Sequence, residues 1–99
     1  MNRPHYTDYV THVAKFYSRN LYKDTFANPV DKANWWSCHN VISRYSIRDK
    51  NILLYIFGEY DTIADNIYQA SVQYGLQQDI IWTLVKKFQK QVAIERGLI

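Results

Sequence analysis

Residues 77 to 90 carry side chains whose chemistry suits the major groove of DNA. A glutamine amide can pair bidentately with adenine N6 and N7, a threonine meets a thymine methyl or a base-edge group, and a lysine supplies a point charge for phosphate. Gln77, Gln78 and Thr83 are therefore candidate base-edge readers, and Lys86, Lys87 and Lys90 candidate phosphate contacts. Asp79 and Trp82 flank them, and Arg96 would extend the basic patch. The Asp79 carboxylate repels phosphate yet can accept from cytosine N4. The solvated face of an amphipathic helix would explain the same residues without any ligand, so their meaning depends on the element that carries them.

That element is set by Ala70, Ser71, Tyr74, Gly75, Leu76, Ile81 and Leu84, which have the spacing of two short helices crossing through a glycine turn. Gly75 fits the left-handed position that closes a helix, and Asp79 places a carboxylate near the positive start of the next one. The pattern is that of a helix-turn-helix, in which Ala70, Tyr74, Leu76, Ile81 and Leu84 fix the angle and the second helix is offered to the groove. Other three-helix domains keep this geometry and bind proteins or nothing.

The rest of the chain predicts helices throughout. Pro4 opens a first helix over residues 5 to 19, where Tyr6, Tyr9, Val10, Val13, Phe16 and Tyr17 recur at helical spacing. Residues 20 to 28 have no clean period and read as a connection ending at Asn28-Pro29. A second helix over 29 to 45 carries Trp35, Cys38, Ile42 and Tyr45 on one stripe, widened by Ala33, Trp36 and Val41. Ser46 caps a third, whose buried face is Ile52, Leu53, Ile56 and Phe57; a strand competes for that run but has no evident partner. Gly58 ends it, Asp61 or Thr62 caps the fourth, and Ile63, Ile67, Ala70 and Tyr74 mark its stripe. The last helix buries Ile80, Ile81, Leu84, Val85, Phe88 and Val92 before Gly97. The expected fold is an all-α domain of about five helices. Residues 1–46 form a helical brace and residues 47–99 the helix-turn-helix unit.

Composition sets the outer bounds. The chain has 99 residues, 47% of them hydrophobic, enough for one core without staples. The lone Cys38 excludes an internal disulfide and no metal-ligand spacing occurs, which fits a reducing cytoplasm. The first residues lack a signal-peptide core, and the longest apolar run, Ile52 to Phe57, is too short to cross a membrane. A net charge of +3 permits an anionic partner without demanding one.

From Asp49 to Ile99, the helix with Ile52 and Leu53, the acidic-threonine turn, the glycine turn and the basic final helix ending in Ala93-Ile94-Glu95-Arg96-Gly97-Leu98-Ile99 resemble region-4-type sigma-factor domains. Small transcriptional regulators of phages and mobile elements share that layout. The resemblance covers about half the chain and implies binding to double-stranded promoter DNA and contact with RNA polymerase. The chain departs from the pattern between Thr62 and Gly75, which is longer than the usual first helix and carries Asp65 with no lysine or arginine.

Other residues invite chemistry and have plainer explanations. Cys38-His39 suggests a nucleophile or a metal site, but neighbours on a helix point about 100° apart. His5 and His12 lack a third ligand, and Asp61 and Asp65 are explained by capping and solvation. Trp35-Trp36 would stack unpaired bases, yet Trp35 falls on the core stripe and Trp36 beside it. No catalytic constellation or cofactor loop is legible, so a non-enzymatic protein without a cofactor is expected. The many tyrosines leave room for a second reading, a protein-interaction or assembly module such as a homodimer.

Overall fold

Three helix starts in this chain are fixed by side chains that accept otherwise orphaned backbone N–H groups. In the computed structural model, which describes residues 4–99, Asn28 Oδ1 accepts from the Asp31 N–H at 2.8 Å. Ser46 Oγ accepts from Asp49 at 3.2 Å, and Thr62 Oγ1 from Asp65 at 3.1 Å. These caps open α2 (Pro29–Ile42), α3 (Ile47–Gly58) and α4 (Ile63–Tyr74); α1 spans Thr7–Ser18 and α5 spans Gln78–Glu95. Among the described residues there are five helices and no strand, as expected of an all-α chain.

Two boundaries differ from the sequence expectation. The first helix begins at Thr7 rather than residue 5, because the Pro4 carbonyl accepts from the Thr7 N–H at 3.1 Å in a separate turn and Tyr6 supplies no side-chain cap. The second ends at Ile42 rather than residue 45. Ser43 Oγ donates to the His39 carbonyl at 2.6 Å, and the N–H groups of Arg44 and Tyr45 bond three residues back to Val41 and Ile42. Those shorter bonds tighten the chain out of α-helix before Ser46 restarts it. The run Ile52 to Phe57 is helical, and Ile52, Leu53, Ile56 and Phe57 are all buried.

One buried cluster draws on all five helices. α5 packs on α1, α2 and α4, while α1 also lies against α3. Ile81, Val85, Phe88, Val92 and Ala93 give α5 an apolar face along most of its length, in one cluster with Val10, Val13, Cys38, Ile42, Ile56 and Ile67 among others. Cys38 and Trp35 are in this core and Trp36 lies at its edge, 46% exposed.

Three buried side-chain amides are satisfied across elements, whereas the buried Tyr45 hydroxyl has no hydrogen-bond partner among the described residues. Asn34 Oδ1 accepts from Tyr9 Oη at 3.0 Å and from Arg96 Nε at 2.6 Å, joining α1, α2 and the end of α5. Gln89 Nε2 donates to Thr11 Oγ1 at 3.0 Å. Asn66 Nδ2 donates to the Ile56 carbonyl at 2.8 Å and is shared with those of Asp61 and Glu59 at 3.3 and 3.4 Å, which closes the α3–α4 turn around one amide. Removing that amide leaves the buried Ile56 carbonyl without its side-chain donor, a loss of about 2 kcal/mol. Asn66→Ala should therefore lower the unfolding free energy by about that amount in urea titrations, whereas an unchanged midpoint would mean that the clamp contributes nothing.

Candidate nucleic-acid interface

The turn between α4 and α5 has the backbone its glycine permits. Gly75 adopts φ 65° and ψ 34°, and the Leu76 N–H reaches back to the Ser71 carbonyl at 3.1 Å, which satisfies the end of α4. Ala70 and Ile81 are fully buried, with Tyr74, Leu76 and Leu84 packed at the margin of the same cluster. These five side chains hold the two helices to the core as their spacing predicts.

Gln77 occupies the N-cap of α5 in extended conformation but makes no side-chain cap. Asp79 Oδ1 instead accepts from the Ile80 N–H at 3.1 Å. The amides of Gln77 and Gln78 are exposed and engage no hydrogen bond among the described residues. At about 100° per residue, Asp79, Thr83, Lys86, Lys87 and Lys90 lie within one outward sector about 100° wide. All five are exposed. Gln78, the first helical residue, falls outside that sector, on the side of Gln89 and Arg96. The fold thus brings Thr83 and the three lysines together and leaves the glutamines at the start of the helix.

None of the three lysines forms an ion pair among the described residues. Lys86 Nζ stands 6.0 Å from the centroid of the Trp82 ring and Lys87 Nζ 5.9 Å from that of Tyr45, so weak cation–π contacts restrain two of them. Thr83 Oγ1 donates to the Asp79 carbonyl at 2.9 Å. Its proton is thereby committed inside the helix, and the oxygen lone pairs and methyl group remain available outward.

Two expectations need correction. Arg96 does not extend the patch, because its guanidinium is drawn inward to Asn34. Ile80 is not part of the buried face; it is half-exposed on the outer side, and the core contact at that level is made by Ile81. Sequence reasoning missed Arg44, and it placed Tyr45 on the stripe of the second helix without its partner on α5. Arg44 pairs with Glu95 at 2.8 Å, and Tyr45 packs edge-on against Phe88 with centroids 6.1 Å apart, which sets the α2–α3 turn beside α5. Both contacts join residues more than 40 positions apart, and no local pattern announces them.

The remaining candidates form no reactive site. His5 and His12 are exposed, and the described residues contain no group of three or more metal-ligating side chains. Cys38 is buried, and burial pushes its thiol well above the ordinary range, so it is a poor nucleophile. His39 stacks on Trp35 at 4.8 Å and shares a 2.8 Å hydrogen bond with the Tyr17 hydroxyl. Trp35 Nε1 donates to the Asn20 carbonyl at 2.8 Å, which identifies the group as packing with its polar atoms satisfied. No helix among the described residues is long and apolar enough to cross a membrane. No family model, curated protein or solved structure gives a significant match to this chain.

Burial, with a smaller contribution from Cys38, pushes the Tyr17 hydroxyl up to about 12. In the unfolded chain Cys38 and Tyr17 ionise near their ordinary values of 9.0 and 10.0, whereas in the fold both keep their protons to higher pH. The unfolded state then binds fewer protons, and stability falls as pH rises above about 9. Urea midpoints at about pH 8 and about pH 10.5 should show this loss in the wild type and a smaller one in Cys38→Ala/Tyr17→Phe. Equal losses in the two proteins would remove these groups as its source.

Proposed function

We propose that this chain is a small DNA-binding protein, a transcriptional regulator that uses α4 and α5 as a helix-turn-helix on double-stranded DNA. The observation that carries this is the outward sector of α5, where Thr83, Lys86, Lys87 and Lys90 are exposed, clustered and free of carboxylate partners among the described residues. The lysines would neutralise phosphates and set register, while Thr83 and, from the helix start, Gln77 and Gln78 would contact base edges. Asp79 on the same sector disfavours indiscriminate phosphate binding and favours a cytosine amino group. Such a protein works in the cytoplasm, and the likeness of its C-terminal half to sigma region 4 makes promoter DNA the expected target and RNA polymerase an expected neighbour. A homodimer would place two such helices on successive half-sites.

The test is binding to a mixed-sequence duplex across a salt series, for the wild type and for Lys86→Ala/Lys87→Ala/Lys90→Ala. Affinity should fall with salt, and the variant should show a shallower slope of log K against log salt, by about 0.9 for each phosphate it no longer neutralises. All three side chains are exposed, so the variant should keep its helical circular dichroism. Absence of duplex binding at low salt would refute the proposal.

A further inference from the structure

The outer face of α4 is left uncovered by the rest of the chain. Ala64, Tyr68 and Val72 form a row at four-residue spacing, turned away from the buried Ile67 and Ala70. Val72 is 64% exposed and Tyr68 51%, and Tyr60, in the turn that leads into the helix, is 82% exposed. Single exposed apolar residues are ordinary, but a row of them along one helix is an unpartnered stripe. Tyrosine is also among the residues that dominate protein interfaces.

The charges carried by α4 and the turn before it are all negative. Glu59, Asp61 and Asp65 are exposed, and none forms an ion pair among the described residues. Between Asn51 and Val85 the chain has no lysine or arginine. Arg19 does reach the turn from the end of α1: its guanidinium lies 4.0 Å over the Tyr60 ring and donates to the carbonyls of Gly58 and Glu59. It therefore pins the turn through backbone and ring, and leaves the carboxylates to solvent.

We infer that this face of α4 docks a basic, amphipathic helical segment of a partner protein. The partner's apolar ridge would lie along Ala64, Tyr68 and Val72, and its lysines or arginines would meet Glu59, Asp61 and Asp65. Charge decides the class of partner, since exposed carboxylates repel nucleic acid and anionic membrane surfaces alike. The inference does not rest on DNA binding, because it uses the outer face of α4 and not the outward sector of α5, and charges of opposite sign.

Backbone-amide NMR of the whole chain tests it with two synthetic helical peptides of about 18 residues. One carries leucines at four-residue spacing flanked by lysines, and the other has glutamate in place of every lysine. The lysine peptide should shift amides 60 to 73, and the glutamate peptide should not. Tyr68→Ser/Val72→Ser should weaken binding by about tenfold or more, and Asp61→Asn/Asp65→Asn by several-fold with a loss of salt dependence. Both pairs are at exposed positions, so thermal melts should stay near the wild type. Equal responses to the two peptides, shifts centred elsewhere, or no binding would overturn the inference. Concentration-dependent shifts of the same amides without peptide, together with a dimer in sedimentation, would overturn it in favour of a second copy.

Discussion

The burial of one face of α5 is the constraint from which the rest of the arrangement follows. Ile81, Val85, Phe88, Val92 and Ala93 are nearly or fully inaccessible, and they are covered by α1, α2 and α4 together. A helix of 18 residues with a continuous apolar stripe has one low-energy rotation about its axis, because turning it would expose these side chains and bury lysines. Fixing that rotation also fixes what faces outward. Lys86, Lys87, Lys90 and Thr83 are therefore held on one side by packing far more than by bonds of their own.

The polar interior refines this packing. Asn34 receives a hydroxyl from α1 and a guanidinium from the end of α5, and Gln89 is bonded to Thr11. Each buried amide bridges different helices, so it specifies which neighbours meet and at what height, where apolar contact alone would tolerate sliding. Asn66 does the same for the α3–α4 turn, and Arg19 holds that turn from outside. The acidic surface of α4 and the basic surface of α5 are in this way parts of one rigid frame, with opposite charge on adjoining helices.

Much of this was legible in the residues, for local reasons. Asn28, Ser46, Thr62 and Gly75 act on groups within five positions, so a reader of the chain finds the helix ends they set. The apolar period separates Trp35 from Trp36 and turns Thr83 and the lysines outward. What stayed hidden depends on distance or on competition between local bonds. Arg96 looks like a free cation until α2 brings Asn34 to it, 62 positions away. Ser43 shortens α2 by bonding its own helix, which composition does not disclose. Ile80 and Ile81 are chemically equivalent, and only the rotation of α5 chooses between them. Gln78 drops out of the outward sector because one helical step turns it about 100° from Asp79, which adjacency in sequence conceals.

The left-handed glycine between α4 and α5 has a bearing on how this chain can drift. A β-carbon at Gly75 would meet nothing within 4 Å, so space imposes no restriction there and backbone conformation imposes all of it. Asparagine and aspartate, whose short polar side chains tolerate that conformation, can stand in at the smallest cost, while a β-branched replacement would force the turn to reopen. Variation at this position should accordingly be confined to a few residue types even though its surroundings are empty. The angle between the two helices is thus inherited through a single dihedral preference, and the outward surface of α5 can diversify without altering it.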